Sequence, residues 1–85
     1  MEISFTNRAI ADLDFWKKAG NKPVQNKIEL LIQSIITSPF NGQGKPEPLK
    51  YDLSGKWSRR INGEHRLVYE VRDDKVIILS LKGHY

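Results

Sequence analysis

Eighty-five residues with fourteen Lys+Arg against ten Asp+Glu give a formal charge of +4 and room for one compact core, so a single domain over residues 1–85 is expected. The absence of cysteine excludes disulfides and thiolate metal sites and suits a reducing cytoplasm. No segment approaches the roughly 20 apolar residues of a membrane span, and the first residues hold no apolar run of signal-peptide length, so a soluble cytoplasmic protein with no membrane partner is expected.

Met1 to Phe5 alternates Ile3 and Phe5 with polar neighbours and reads as a short strand. Thr6 can cap a helix whose Ala9, Ile10, Leu13 and Trp16 are spaced for one buried face, with Gly20 to end it. Pro23 suits the first turn of a second helix, in which Val24, Ile28, Leu31, Ile32 and Ile35 form the clearest periodicity of the chain. Ser38-Pro39 stops it. The stretch PFNGQGKPEPL, residues 39–49, mixes prolines that restrict the backbone with glycines that free it, and predicts a shaped loop. Three strands are predicted beyond it, over residues 56–61, 65–72 and 76–81, with Asn62-Gly63 and Asp73-Asp74 at the turns of an antiparallel meander.

Side-chain parity refines this. Trp57, Ile61, Leu67, Tyr69 and Val71 share a face only if Asn62-Gly63-Glu64 makes a three-residue connection, because a one-residue slip moves every side chain to the other side. That register sets Arg60 and Arg66 together on the solvent face. A three-residue turn in the second hairpin would add Ile77, Leu79 and Leu81 to the core and put Lys82 and His84 on the arginine face; Val76 and Ile78 would serve almost as well inside.

The basic residues Lys45, Lys50, Lys56, Arg59, Arg60 and Arg66 lie in one segment, which favours a polyanion or an acidic protein as partner. Cleavage of RNA without a metal needs a base for the ribose 2′-OH, a cation for the phosphate and an acid for the departing 5′-oxygen. Carboxylate, arginine and histidine suit these jobs. Glu47, between Pro46 and Pro48 and near Lys45 and Lys50, is the candidate carboxylate; its spacing alone favours an ordinary exposed glutamate. Arg60 and Arg66 are planar donors suited to bidentate phosphate contacts, whereas Arg59 reads as part of a solvated strand face. Odd parity sends His65 under the sheet. His84 and Tyr85 are either a frayed tail or a pair held over the sheet by the last strand. No Walker or Rossmann phosphate loop is present, and two histidines without ligand spacing argue against zinc, so neither cofactor nor metal is expected.

The run PFNGQGKPEPLKYDLSGKWSRRINGEHRLVYEV, and the terminal His84-Tyr85, resemble the signature of YoeB/Txe toxins, a branch of the RelE/ParE superfamily, and the resemblance spans essentially the whole chain. It implies an α+β fold with two N-terminal helices packed on a twisted antiparallel β-sheet, RelE-like and laid out like the microbial ribonucleases. The implied activity is ribosome-dependent, metal-independent cleavage of mRNA in the A site by a toxin of a toxin–antitoxin module. Matching motifs imply Glu47 as general base, Arg66 as the phosphate-stabilising residue, His84 as general acid and Tyr85 as an orienting residue. Lys45, Lys50, Arg59, Arg60, His65 and Lys82 would contact RNA. The implied partners are the ribosome and mRNA, an acidic antitoxin of the YefM/Axe kind, and a second copy in a homodimer. Gly83 stands where many relatives carry an aromatic residue, which implies a more flexible end and one stacking surface fewer. Two other classes remain open: a non-catalytic ParE-type inhibitor of DNA gyrase, and a module that only grips phosphate.

Overall fold

The computed structural model describes residues 1–83. In chain order they form strand β1 (Glu2–Phe5), helices α1 (Asn7–Lys18) and α2 (Lys22–Thr37), strand β2 (Glu47–Pro48), one 3₁₀ turn (Tyr51–Leu53), and strands β3 (Lys56–Arg60), β4 (Arg66–Arg72) and β5 (Lys75–Ser80). Both helices start where short polar side chains cap them. Thr6 Oγ1 accepts from the Ala9 N–H, and Asn21 Oδ1 from the Val24 N–H, each at 3.1 Å, which pairs donors that a helix start leaves open.

Helix α2 buries Val24, Ile28, Leu31 and Ile35 along one stripe, each such side chain stabilising the fold by about 1.5–3 kcal/mol. Helix α1 keeps Ala9, Leu13 and Trp16 of its expected face against the core, but Ile10 is 55% exposed and Asp12 is buried beside them. Asp12 can stay inside because its carboxylate is fully engaged: Arg8 Nε donates to both oxygens, and the Leu81 N–H donates to Oδ2 at 2.9 Å. Without such partners a buried carboxylate would be prohibitively costly.

The helices lie on one face of a five-stranded sheet of order β1-β5-β4-β3-β2. This is the expected α+β layout with one refinement. The sheet is mixed rather than wholly antiparallel, because β1 runs parallel to β5 and brings Ile3 and Phe5 to the core opposite Val76 and Ile78. In the first hairpin Trp57 faces Tyr69, Arg59 faces Leu67 and Arg60 faces Arg66. The Ile61 N–H donates to His65 O at 3.0 Å, closing the three-residue connection that parity required.

The second hairpin takes the tighter turn. Arg72 faces Lys75 across Asp73-Asp74, so Val76 and Ile78 enter the core in place of Ile77 and Leu79. A bulge follows: Tyr69 faces Ile78 but Val68 faces Ser80, leaving Leu79 as the extra residue. One extra residue reverses parity, and Leu81 returns to the core at 0% exposure. Within the segment expected to be loop, Glu47 and Pro48 make a short edge strand against Ser58 and Trp57, a place in a sheet that tolerates proline.

Candidate functional site

Residues opposite one another in an antiparallel ladder point to the same face. Glu47 faces Ser58, Ser58 faces Val68 and Val68 faces Ser80, making one row across four strands; Arg60 and Arg66 make the next. This face is turned away from the helices. Its floor, Ser58, Val68 and Ser80, is small and buried, and its charged side chains stand at the rim. With strands ~4.8 Å apart and residues rising ~3.4 Å, Glu47 and Arg66 lie roughly 12 Å apart at their Cα atoms. That leaves room for one nucleotide's ribose and phosphate between two long side chains.

The backbone holds Glu47 in place. Pro46 and Pro48 flank it, and the Leu49 N–H donates to Lys56 O at 2.9 Å. The preceding loop docks on the end of β3, where the Arg60 N–H donates to Gly44 O at 2.7 Å. Docking opens a cavity of about 340 Å³ whose lining includes Lys27, Lys45 and Arg60, three cations drawn from α2, the loop and β3. Lys27 was not singled out in the sequence, where it reads as an ordinary solvated lysine beside Ile28. Lys50 is exposed immediately before the 3₁₀ turn.

Three residues expected to contact RNA have partners within the chain. Arg59 is 0% exposed and so does not belong to the solvated face on which its charge placed it. Its Nε donates to Tyr69 Oη, Nη1 to Ser34 Oγ and Gln43 O, and Nη2 to Ser38 O and Asn41 O, so all five of its N–H groups are used. Tyr69 in turn donates to Pro39 O at 2.6 Å. Arg59 thereby fastens the loop after α2. Burial raises the Tyr69 hydroxyl above its ordinary pKa of 10.0, and the Arg59 guanidinium partly opposes this.

His65 is half-buried, its ring edge-to-face on Trp16 with centroids 4.8 Å apart, and its Nδ1 accepts from the Gly83 N–H at 2.9 Å. The ring is therefore engaged with the chain through Nδ1 and its contact with Trp16. Lys82 extends over Phe15, Nζ lying 4.1 Å from the ring centre, so its charge goes to α1 instead of the arginine face. Gly83, expected to loosen the chain end, is tied through both backbone groups, its carbonyl accepting from the Arg66 N–H at 2.7 Å. Its φ of +90° is a conformation glycine adopts readily. His84 and Tyr85 lie outside the described residues.

Among the described residues, no three of His, Cys, Asp or Glu cluster to hold a metal ion, and no helix is long and apolar enough to cross a membrane. At its Arg66 end this face offers the Glu47 carboxylate, Arg60 and Arg66 over a small-residue floor, and a chain end anchored beside Arg66; Lys56 and Glu70 face each other in the row beyond Ser58 and Val68.

Comparison with known proteins shows the family of the chain. Residues 5–85 match the family described as YoeB-like toxin of bacterial type II toxin-antitoxin system. The chain is 49% identical to Toxin YoeB of Synechocystis sp. over all 85 residues, spanning 98% of that protein. Among solved structures, the YoeB/ParE toxin from Agrobacterium tumefaciens superposes with a TM-score of 0.95 at 39% identity, each chain covered in full. YoeB from Staphylococcus aureus, solved as a YoeB-YefM complex, superposes with a TM-score of 0.89 at 44% identity, covering 100% of this chain and 98% of its own.

Proposed function

Because the chain belongs to the YoeB-like toxins of bacterial type II toxin–antitoxin systems, we propose that it is an endoribonuclease that cuts mRNA in the ribosomal A site by acid–base chemistry of its own side chains, without a metal. The observation that carries this reading is the shared sheet face of Glu47, Arg60 and Arg66. In it, Glu47 removes the proton of a ribose 2′-OH, whose oxygen attacks the adjacent phosphorus. Arg66, with Arg60 beside it, stabilises the charge that grows on the non-bridging oxygens. His84 gives a proton to the departing 5′-oxygen, and Tyr85 orients substrate or acid. Lys45 and Lys50 grip neighbouring phosphates.

The site works in the cytoplasm, where ribosomes supply the substrate. An acidic antitoxin covers the basic surface, a partnership supported by the Staphylococcus aureus YoeB-YefM complex; the YoeB dimer from the same organism supports pairing with a second copy.

Purified protein incubated with programmed ribosomes and a defined mRNA, with product ends mapped by primer extension, tests the reading. Cuts confined to the A-site codon and absent without ribosomes are expected. Glu47→Gln and His84→Gln each slow cleavage by about 10²–10⁴-fold while remaining folded. Intact mRNA in every lane, from folded protein, overturns the nuclease; inhibition of gyrase supercoiling by the same sample would then favour the ParE-type activity.

A further inference from the structure

The last described residues are held by bonds that the sheet ladder does not supply. Strand β5 ends at Ser80, and beyond it side chains take over. The Leu81 N–H donates to Asp12 Oδ2 and Leu81 O accepts from Trp16 Nε1, both at 2.9 Å. Lys82 O accepts from Arg8 Nη2 at 3.1 Å. Gly83 is bonded on both sides, by His65 Nδ1 at its N–H and by the Arg66 N–H at its carbonyl. Arg8, Asp12 and Trp16 are spaced four apart and form one stripe of α1. His65 leans on the last of them.

Two of these bonds hold Leu81, one holds Lys82 and two hold Gly83, the residue before His84; of the last two, only the one from His65 comes from a side chain. We propose that His65 is a positioning residue for the cleavage reaction. Through Nδ1 it holds the Gly83 amide while the next residue, Arg66, holds the Gly83 carbonyl, so the residue that precedes the proton donor is anchored to the phosphate-binding arginine and its neighbour. The inference rests on reading His84 as the general acid. In this contact Nδ1 is an acceptor, which requires the neutral ring with its proton on Nε2. Trp16 supplies the wall that keeps the ring in that orientation, and Trp16 is itself fixed by its bond to Leu81 O. Displacing an acid by about 1 Å can lower a rate by 10²-fold, so one hydrogen bond at the residue before it suffices for a large effect.

Two substitutions separate the acceptor from the ring. His65→Phe keeps an aromatic ring against Trp16 and removes the acceptor; His65→Asn keeps an acceptor close to the Nδ1 position and removes the ring. Both are compared with wild type and His84→Gln on programmed ribosomes, and Gly83 amide exchange is followed by NMR. The expected result for His65→Phe is faster Gly83 exchange and a kcat lower by about 10–100-fold with KM within about 2-fold. His65→Asn regains most of the kcat despite its poorer packing, which a purely structural role would not allow. Should Phe overfill the site and unfold the chain, His65→Leu is the second acceptor-free variant. Full kcat in the acceptor-free variant beside an inactive His84→Gln overturns this proposal alone. A His84→Gln that cuts as fast as wild type overturns the acid reading, and the proposal with it.

Discussion

Arg59 and Arg60 are neighbours in the chain and point to opposite faces of β3, which gives identical side chains opposite uses. Arg60 is exposed beside Arg66. Arg59 is enclosed, and among the described residues its partners are neutral oxygens rather than a carboxylate. Its worth lies in satisfying three loop carbonyls, of Ser38, Asn41 and Gln43, that would otherwise lose a donor. Arg59→Met is expected to destabilise the protein by roughly 3–5 kcal/mol in urea unfolding and to open the 38–44 segment to limited proteolysis. Arg59→Lys recovers less than half of that loss, because a single ammonium cannot match a five-donor planar fork. Arg59 has the same parity as Trp57 and Ile61, which were expected inside, yet its charge made it read as solvated. What the sequence could not show was the ring of carbonyls waiting for it.

Among the elements, α2 and the first hairpin were legible because a repeating apolar period specifies which face is buried, and a three-residue turn specifies register. Element by element the exceptions have local causes. Helix α1 turns Asp12 inward, since the Leu81 amide needs an acceptor there. The second hairpin carries a bulge that no period announces. Strand β2 is two residues long and consists of Glu47 and a proline, so its composition spelled loop. The loop before β2 is packed tightly at Gly44: a Cβ there would lie 2.6 Å from Leu31 Cδ2, at a φ of +82°. Gly44→Ala is therefore expected to cost about 2–4 kcal/mol, combining backbone strain with overpacking. Gly20→Ala also carries a positive φ, of +66°, but meets nothing within 4 Å, and is expected to cost only about 1–2 kcal/mol. Paired urea midpoints check the difference, and equal losses would mean that Leu31 moves aside freely.

Over the whole molecule, alkaline stability follows from the same interior. The Tyr69 hydroxyl is raised above 10.0 chiefly by burial, so the folded state keeps its proton at a pH where the unfolded chain gives it up. Its contribution to stability is fully present below pH 10 and is lost as pH rises through the folded-state value. Tyr69→Phe is expected to be less stable at pH 8, having lost its bond to Pro39 O, and to show a shallower decline above pH 10. The measurement is the difference in unfolding free energy between wild type and variant from pH 8 to 11; parallel curves would refute the assignment.

The amino-acid pattern by itself determined the helices, the first hairpin's register and the pairing of Arg60 with Arg66, because apolar periodicity and turn length are local properties. The motif around Glu47 and Arg66 was equally visible as a string of residues. Only the tertiary structure decided that Arg59 is an internal fastener, that Glu47 stands on an edge strand facing Ser58, and that Gly83 is gripped by His65. Those outcomes depend on which backbone groups from distant segments are left without partners once the core has closed, and a linear sequence carries no record of them.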